Sequence, residues 1–565
     1  MAKKQKLWQR LFSALLSFLL HGKRPPISSR SSSTSSPPPR EQHPASLHFH
    51  PPPGMAAEKL ATDGRTLVLD IDGGLLVSSS SSSSSSLFPY FMLVALEAGG
   101  ILRGALLLLL YPIILCLSAC VGKGGGEDAA VRLMAMAAFC GLRENRFHAG
   151  RAVLPRWLME DVADGGIDIE AMTSGGSRVV CVTRRMPTVM VEGFLREYLG
   201  AEAVVGREMK VLWGFYTGLM EEDGRGDEAL KKKITVDDAV GFSGSVEFLQ
   251  HPISRYCKEI YLVTRDQEAP AALPKPRPRQ LHHRKLKPVV FHDGRLAFLP
   301  TAGATLAMLT WLPFGMALGA ARLAVSLTVP YRYSTPILAA TGMSWRLKGS
   351  PPPPAGVGGR GRHGQLFVCN HRTLIDPVYV SVALDRPVRA VSYSLSRLSE
   401  LISPIGRTVR LTRDRERDGH AMARLLDRGD LVVVCPEGTT CREPYLLRFS
   451  PLFAELADNV VPVGIAVETA MFYATTAGGL KCLDPLYYIV NPRMCYTVQF
   501  MDRVRTAPAK EGKVPSTDVA NLVQRKMGEE LGYGCTMLTR KDKYLMLAGN
   551  DGKCSSTPAP AATKI

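Results

Sequence analysis

The sequence predicts an α/β protein of two domains that also carries apolar helical segments for contact with a membrane. Short apolar runs that indicate buried strands end in polar turns at residues 66–77 and 366–376, and strands that alternate with helices are typical of α/β folds. A Pro-, Lys- and Arg-rich stretch, residues 267–288, separates the two α/β regions. Residues 104–122 and 296–321 are apolar over roughly the 20 residues that a membrane-spanning helix needs.

Composition limits the classes of partner. The chain has 565 residues, enough for two or more domains with a sizeable core. A net charge of +18 favours an anionic partner, such as a membrane surface, a phosphorylated substrate or a nucleic acid. Basic residues concentrate in linkers and in the N-terminal leader rather than on a face interleaved with aromatic residues, which argues against nucleic acid. The twelve cysteines lack paired metal-binding spacings and are interpreted as reduced thiols of a cytosol-facing protein.

Residues 1–60 predict a disordered, basic leader. The first forty residues contain eight Lys and Arg side chains and no acid. An apolar patch at residues 7–20 precedes a Ser/Pro-rich tract. Two interpretations remain open: a mitochondrial-type presequence, or a basic interfacial anchor on a disordered tail.

Residues 61–266 predict the first α/β domain. Its first strand ends in Asp70, followed by Asp72, and an ordinary Asp/Gly turn is the simplest interpretation. A second strand ends in Thr183. These features resemble the first two motifs of the haloacid-dehalogenase-like phosphatases. The resemblance implies a phosphoryl-accepting Asp70, an acid/base Asp72 and a magnesium ion that bridges them.

The third motif of that family should supply further carboxylates for the metal. Residues 240–248 contain no aspartate, and Glu247 is their single acid. Magnesium prefers a full set of hard oxygen ligands, so one carboxylate is a poor replacement. We therefore expect a haloacid-dehalogenase-like fold that has lost its chemistry, with Asp70, Asp72 and Thr183 as vestiges and no bound Mg²⁺.

A hydrophobic insertion at residues 87–122 interrupts this domain. It follows a run of nine serines, residues 78–86, that predicts an expanded loop. Its second half could cross a membrane as a helix kinked at Pro112, or could dip into the membrane as a hairpin with Arg103 near the surface. A buried helix of a soluble domain is the third alternative.

Residues 267–290 predict a linker, and residues 291–335 predict a membrane segment. Residues 296–321 lack charge, and the flanks on both sides are basic. The positive-inside rule therefore does not determine the orientation of this segment in a membrane. A hairpin or a monotopic insertion agrees with these flanks at least as well as a single span. His292 and Asp293 are interpreted as a turn beside the membrane segment.

The second domain, residues 336–553, opens with a pattern that indicates acid–base chemistry. A short buried strand leads into Asn370-His371. Asp376 and Pro377 then predict the cap and the first residue of a helix. Across this strand-to-helix turn, the Asp376 carboxylate can reach one nitrogen of His371. The other nitrogen can then take a proton from an alcohol, as a base with its orienting group does in acyl transfer.

Three further stretches follow in order. Residues 407–418 hold arginines whose planar, permanently charged side chains suit phosphate; a solvated charge run with internal Arg–Asp pairing is the alternative. Residues 430–443 form a buried strand that ends in Pro-Glu-Gly-Thr, a tight turn that can present amides and a carboxylate. Residues 459–467 form another buried strand, and Pro462 within it suits a strand end.

Together these blocks resemble the glycerolipid acyltransferase superfamily. With residues 538–544 and the phosphatase-like half, they are more narrowly similar to the land-plant glycerol-3-phosphate acyltransferases over about residues 60–553. The resemblance implies direct transfer from acyl-CoA, with His371 as the general base and Asp376 as its orienting group. It also implies that the substrate is bound by Arg413, Arg415, Glu437, Gly438, Thr439 and Pro462.

The resemblance further implies a product and a location. Acyl-CoA and glycerol-3-phosphate would give lysophosphatidic acid, with the sn-2 hydroxyl favoured and no cofactor needed. The lipid would serve cutin, suberin or a related extracellular polymer, and the enzyme would reside in the endoplasmic reticulum membrane, with the mitochondrion as the alternative. Some relatives also release the phosphate, so a bifunctional transferase-phosphatase that makes 2-monoacylglycerol is the alternative function. Lys541 and Lys543 are interpreted as surface or phosphate-steering charges, and residues 554–565 as a tail.

Overall fold

The computed structural model describes residues 46–49, 66–76, 78, 84–120, 125–162, 178–221, 239–262, 288–352, 364–392, 408–412, 414–478 and 483–549. These residues fall into two compact units. The first contains the described residues up to 289 together with 299–305, and the second contains 290–298 and the described residues from 306 onwards. Each unit is built on a β-sheet accompanied by helices, which confirms the predicted α/β class.

A parallel sheet forms the centre of the first unit. The strands of this unit are β1 Ser46–Phe49, β2 Thr66–Asp70, β3 Arg178–Thr183, β4 Ala203–Gly206, β5 Met209–Leu212, β6 Phe215–Met220, β7 Ala239–Ser243 and β8 Cys257–Leu262. Six of them lie in the order β1-β8-β7-β2-β3-β4, while β5 and β6 form a separate antiparallel hairpin. All five residues of β2 are buried, as expected for a central parallel strand that is covered on both faces.

Strand β1 corrects the prediction for the leader. We expected residues 1–60 to be disordered, but Ser46–Phe49 pairs in parallel with β8 at the edge of the sheet. A strand of four residues between Pro44 and Pro51 is too short to show a recognisable hydrophobic pattern. Sequence periodicity therefore could not predict it within the Ser/Pro-rich leader. The rest of the leader, most of the serine run, most of the linker and the tail lie outside the described residues.

The hydrophobic insertion forms helices of two kinds. They are α1 Phe88–Gly99, α2 Ile101–Leu109 and α3 Tyr111–Cys120. Helix α1 is buried along most of its length, whereas α2 and α3 expose apolar side chains such as Leu102 and Leu109. Residues 101–119 are long and apolar enough to cross a membrane, and the helix is interrupted at Leu110, two residues before Pro112. The alternative of a buried helix therefore applies to α1, and α2 with α3 remain the membrane candidate.

The remaining helices of the first unit follow the insertion. They are α4 Gly125–Phe139, α5 Ala149–Ala152, α6 Leu154–Asp161 and α7 Thr188–Tyr198, with single turns at Ile71–Leu75, Ser84–Ser86, Glu144–Arg146, Val246–Gln250 and Pro252–Tyr256. Arg103 of α2 caps the end of α4, because its Nη1 donates to Cys140 O at 2.6 Å and to Ala138 O at 3.2 Å. This contact fixes the start of α2 against the end of α4.

A mixed sheet organises the second unit. Its strands are β9 Met343–Lys348, β10 Gln365–Cys369, β11 Arg389–Ser392, β12 Val409–Arg410, β13 Leu431–Val434, β14 Tyr445–Leu446, β15 Asn459–Thr469, β16 Met494–Phe500, β17 Val504–Arg505 and β18 Gly534–Cys535. The main sheet runs β12-β11-β13-β10-β15-β16-β9, with β17 beside β15, and β14 pairs with β18. Strand β10 is parallel to both neighbours, β13 and β15. The carboxyl ends of these three strands therefore point to the same edge of the sheet.

Alternate residues of β10 pack into two apolar cores. Phe367 lies in one core with Tyr496, and Leu366 lies in the other with Phe453. Both faces of the sheet are thus covered, which explains the continuous apolar sequence of β10 and β13. The helices of this unit are α8 Ala302–Thr328, which belongs to it from residue 306 onwards, α9 Tyr331–Ala340, α10 Asp376–Leu384, α11 Arg415–Asp427, α12 Asp484–Val490, α13 Ala507–Lys510, α14 Ser516–Leu531 and α15 Arg540–Ala548, with a 3₁₀ turn at Pro451–Glu455.

Helix α8 is attached to the second unit along one face. Trp311 Nε1 donates to Val490 O at 2.9 Å. The guanidinium of Arg322, which is only 2% exposed, donates to Ile489 O at 2.6 Å and to Asn491 O at 2.7 Å. Apolar side chains on other faces of the helix are exposed. One face of the helix is therefore packed on the folded unit, and its other faces present apolar side chains at the surface.

The predicted membrane segment, residues 291–335, needs correction at its start. Residues 290–298 belong to the second unit, and the helix begins only at Ala302. Ala302–Thr328 is long and apolar enough to cross a membrane, and Pro313 lies inside it. Hydropathy alone could not separate the buried segment before Pro300 from the apolar helix after it.

Candidate active site

The structure brings His371 and Asp376 together at the edge of the sheet where β10 ends. Helix α10 begins at Asp376-Pro377, as predicted, and Nδ1 of His371 lies 3.0 Å from Oδ2 of Asp376. The fully buried carboxylate also accepts hydrogen bonds from Arg372 N at 2.6 Å and from Thr373 Oγ1 at 2.8 Å. These bonds fix the carboxylate, which in turn orients the imidazole. The other ring nitrogen of His371 can then serve as a base.

The Pro-Glu-Gly-Thr loop wraps around the backbone of His371. His371 N donates to Glu437 Oε1 at 2.8 Å, and Cys441 N donates to His371 O at 2.8 Å. The second oxygen of Glu437 accepts from Leu447 N at 3.0 Å. Burial raises the pKa of Glu437 to about 7, although these backbone donors lower it. Glu437 thus joins the loop to the His371 turn, and its predicted contact with substrate stays a prediction.

Two other predicted substrate contacts lie in the same loop. Gly438 has a φ of +66°, a left-handed conformation that favours glycine. Open space surrounds the position where a Gly438 side chain would begin, and Thr439 beside it is buried. The glycine therefore serves the turn geometry, and substrate binding by either residue stays a prediction.

Pro462 lies inside a strand rather than at the strand end that we expected. It is the fourth residue of β15 and pairs with Val368 of β10. On the other side of β15, β17 pairs as far as Val460 and β16 begins at Val463. Pro462 is therefore level with the break between two partner strands, where a missing N–H is tolerated.

The arginine cluster is only partly described. Arg413 lies outside the described residues. Arg415 begins α11, has a side chain that is 56% exposed, and pairs with Glu455. Arg417 Nε lies 3.5 Å from Asp414 Oδ2. These pairs match the alternative of a solvated charge run, and phosphate binding by Arg413 and Arg415 stays a prediction.

Asn370 is a site residue to which sequence reasoning gave no role. Its side chain is fully buried; Oδ1 accepts from Ile465 N at 2.6 Å and Nδ2 donates to Ile465 O at 2.9 Å. This pair of bonds ties the His371 turn to β15, the neighbouring strand. A polar side chain directly after a buried strand is itself buried and must form hydrogen bonds. The position of Asn370 after β10 could therefore have predicted its structural role.

Residues 291–295 form a strap on the Pro-Glu-Gly-Thr loop, which corrects the prediction of a turn beside the membrane. His292 is 5% exposed, and its Nδ1 lies 2.5 Å from Glu443 Oε1. Asp293 accepts from Ala477 N at 2.9 Å. Arg442 Nη1 donates to Gly294 O at 2.7 Å. The strap therefore contacts the loop that holds His371.

Lys543 corrects the prediction of a surface charge. It is 6% exposed, and its ammonium group donates to the carbonyl oxygen and the hydroxyl of Thr440. Thr539 and Asp542 form a capping box that starts α15 and points Lys543 inward. The C-terminal helix thus supports the Pro-Glu-Gly-Thr loop across 103 residues of sequence.

Cys435 lies next to His371. It follows β13 directly, and its thiol interacts with the Cys369 thiol and the His371 ring. The interaction with Cys369, followed by the positive charge of His371, lowers the pKa of Cys435 to about 6 against the effect of burial. Burial acts to lower the pKa of His371, but Cys435 and Asp376 outweigh it and raise that pKa well above its usual value. The thiol is therefore an electrostatic partner of the proposed base.

We expect Cys435→Ala to remain active and to change the pH dependence. Removing a neighbour that raises the pKa of His371 lowers that pKa, so the neutral base persists to lower pH. The acid limb of log kcat/KM should therefore move toward lower pH, measured by acyl transfer across a pH series. Cys535→Ala, at an exposed position, is the matched control. Loss of activity together with a hydroxylamine-labile acyl-enzyme in the wild type would instead make Cys435 a nucleophile.

A second polar cluster lies at the carboxyl ends of β2 and β3 in the first unit. Asp70, Asp72 and Thr183 meet there, with Thr183 Oγ1 3.4 Å from Asp72 Oδ2. Arg184, to which sequence reasoning gave no role, places Nη2 3.1 Å from Asp70 Oδ2 and Nη1 3.2 Å from Glu247 Oε2. The guanidinium thus stands between the first-motif aspartate and the third-motif acid.

This cluster does not fit the magnesium that its fold family implies. Asp70 Oδ2 already accepts from Arg184 and, at 2.5 Å, from Ser243 Oγ. Glu247 is 73% exposed, and the described residues contain no group of three or more acidic, His or Cys side chains arranged for a metal. Burial raises the pKa of Asp70 to about 6, although Arg184 lowers it. A fixed guanidinium takes the place of the cation, so we derive no metal-dependent step.

Sequence comparisons identify a known family in each of the two α/β regions. Residues 66–263 match the family described as glycerol-3-phosphate acyltransferase RAM2-like, HAD-like domain, and residues 352–467 match the acyltransferase family. Probable glycerol-3-phosphate acyltransferase 3 of Arabidopsis thaliana is 46% identical over 497 residues, which cover 86% of this chain and 90% of that protein. Glycerol-3-phosphate acyltransferase RAM2 of Petunia hybrida is 42% identical over 484 residues, which cover 84% and 97%. The family matches confirm the haloacid-dehalogenase-like and acyltransferase folds.

Two solved structures are each similar to part of the chain. The 1-acyl-sn-glycerophosphate acyltransferase PlsC of Thermotoga maritima is similar over 40% of this chain and 95% of its own, with 14% identity and a TM-score of 0.26. An apo phosphoserine phosphatase is similar over 36% of this chain and 96% of its own, with 12% identity and a TM-score of 0.21.

Proposed function

Because the chain belongs to the plant glycerol-3-phosphate acyltransferase family, we propose that it transfers an acyl group from acyl-CoA to the sn-2 hydroxyl of glycerol-3-phosphate and forms lysophosphatidic acid. The observation that carries this proposal is the His371–Asp376 pair, whose backbone is held by the Pro-Glu-Gly-Thr loop. The enzyme class follows from the family. Beyond the family assignment, the proposal specifies acyl-CoA as the donor and the sn-2 hydroxyl as the acceptor.

The transfer needs one base and no covalent intermediate. His371 takes the proton of the substrate hydroxyl while the oxygen attacks the thioester carbonyl, and the C–S bond to CoA breaks. The imidazolium then returns the proton to the departing thiolate. Asp376 holds the ring and stabilises its charged form. General-base catalysis contributes typically ~10²–10⁴-fold, and positioning of the two substrates contributes much of the rest.

We assign the phosphate end of the substrate to the arginine cluster. Arg413 is the first candidate, with Arg415 and Arg410 as lesser ones, because guanidinium groups match phosphate oxygens in charge and shape. The Glu437-Gly438 turn would bind the glycerol end, with Thr439 and Pro462 beside it. Arg415 would have to exchange its partner Glu455 for phosphate.

We also propose that the product keeps its phosphate. The pairing of Arg184 with Asp70 supports this proposal, since a phosphatase of this fold needs that aspartate free and bound to a metal. We place the enzyme in the endoplasmic reticulum membrane and its product in cutin, suberin or related extracellular lipid. Two helices with the length and composition of membrane spans support the membrane location.

One assay tests the donor, the position and the fate of the phosphate. Membranes that contain the protein are incubated with radiolabelled glycerol-3-phosphate and a panel of acyl-CoA thioesters, followed by positional analysis of the product. We expect 2-acyl lysophosphatidic acid, with no release of phosphate in the presence or absence of Mg²⁺. Acyl-(acyl carrier protein) is the control donor. A 1-acyl product would refute the sn-2 assignment, and monoacylglycerol whose formation stops in Asp70→Asn would establish the bifunctional enzyme.

A further inference from the structure

The hairpin of β5 and β6 presents an exposed apolar tip. Six consecutive residues, 210–215, are exposed, and four of them are large and apolar. Trp213 is 90% exposed, and Leu212 is 55% exposed. Single exposed apolar residues are common on protein surfaces, but a contiguous apolar projection indicates an interaction site.

The backbone of the tip is unfavourable for the residue that it displays. Leu212 pairs with Phe215, so Trp213 and Gly214 are the two turn residues. Both have positive φ, 52° and 75°, as in a type I′ turn. Asparagine, aspartate and glycine suit the first position of such a turn, whereas a bulky side chain is strained there. The chain thus keeps a strained tryptophan at the position where the turn projects farthest, which points to a function of the side chain.

The tip adjoins the apolar helix α2. Gly141 N donates to Tyr216 O at 2.8 Å, and Glu144 N donates to Gly214 O at 3.0 Å, so the hairpin is bound to the segment after α4. Arg103 of α2 caps the carbonyls of α4 directly before that segment. Residues 137–144 therefore connect the hairpin tip to the start of α2.

Leu102 and Trp213 lie on the two elements joined in this way. At 88% and 90%, they are the two most exposed large apolar side chains among the described residues. Basic side chains accompany them: Lys210 in the hairpin, Arg143 stacked over Phe215, and Arg103 in α2. Tryptophan with nearby Lys and Arg is typical of the membrane–water interface, where the ring lies at headgroup depth and cations reach phosphate.

We propose that the tip, residues 210–215, inserts into the interfacial layer of the same membrane that α2 and α3 enter. The apolar length of residues 101–119 favours lipid over a second copy of the chain, because a segment of that length matches the hydrocarbon layer. The hairpin then acts as a second anchor of the first unit. It fixes that unit against rotation about α2.

Photolabelling in lipid tests the proposal on the full chain. The protein is reconstituted into phosphatidylcholine vesicles that contain a diazirine-bearing phosphatidylcholine, irradiated, and mapped by mass spectrometry. We expect label in residues 210–215 as well as in 101–119. Peptides that carry Glu192 and Arg196 of α7, an exposed polar pair, should stay unlabelled.

The Trp213→Asn variant removes the proposed membrane anchor and keeps the turn intact. Asparagine is the residue that a type I′ turn prefers before glycine, so the variant should fold and its unit should melt at a higher temperature. Label in 210–215 should be lost, while label in 101–119 persists. Label confined to 101–119 in the wild type, or absent from both segments, would overturn the proposal. Chemical cross-links from 210–215 to another copy of the chain would overturn it in favour of a protein contact.

Discussion

Replacement of His371 by Ala is expected to abolish acyl transfer and to leave the fold intact. The imidazole, which lies 3.0 Å from Asp376, is the base of the proposed mechanism, so its loss should cost at least ~10²–10⁴-fold in kcat. The hydrogen bonds that hold the loop use the backbone of residue 371, which alanine retains. Asp376 keeps its bonds from Arg372 and Thr373. Formation of lysophosphatidic acid and the thermal midpoint would be measured on the same preparation.

The control for this variant is another histidine of the same unit. His420 is exposed on α11, so His420→Ala should match the wild type in both measurements. Turnover near the wild-type rate in His371→Ala would remove the base assignment. Loss of activity together with a lowered thermal midpoint would show a structural role for the side chain instead.

Replacement of Arg184 by Ala is expected to destabilise the first unit strongly. The variant leaves Asp70, fully buried, and Asp72 without their guanidinium partner. Breaking a buried ion pair from one side costs about 3–5 kcal/mol, more than most single substitutions. Limited proteolysis of the first unit in detergent and its thermal midpoint would show the effect. Arg196→Ala, which removes an exposed pair with Glu192, is the matched control and should change little.

The pH dependence of this variant follows from the sign of the Asp70 shift. The pKa of Asp70 is already raised to about 6 in the folded wild type, and loss of Arg184 raises it further. Because the unfolded carboxyl ionises near its ordinary value of 3.8, stability falls as pH rises between that value and the folded pKa. Arg184→Ala should thus be more stable at pH 5 than at pH 8. The double variant with Asp70→Asn should recover stability at pH 8, and absence of that recovery would contradict the charge-pair explanation.

The residues that sequence reasoning located best are those whose partners are close in sequence or lie at the ends of adjacent strands. Asp376 reaches His371 because a strand-to-helix turn of five residues fixes their separation. Asp70 and Thr183 meet because parallel strands end at one edge. A short turn of fixed length and the common edge of parallel strands determine such contacts, and both can be predicted from the order of residues.

The contacts that sequence reasoning missed depend on distant segments. Lys543 is buried because α15 packs on a loop 103 residues earlier, and a lysine in a polar stretch carries no sign of this. His292 looks like a residue beside a membrane helix until Glu443 is placed against it, 151 residues later. Arg184 resembles any arginine after a strand until Asp70 is seen to be its partner. Such roles are set by tertiary packing, which residue spacing does not encode.

The attachment of helix α8 limits how the enzyme can sit in a bilayer. Between Trp311 and Arg322, one side of the helix is bonded to Val490, Ile489 and Asn491. Neither residues 302–310 nor residues 323–328 reach the roughly 20 residues required to traverse hydrocarbon. In the membrane location proposed above, lipid tails and folded protein would share the circumference of this helix. The second unit would then lie against the bilayer face and could not move away from it without breaking the contacts of Trp311 and Arg322.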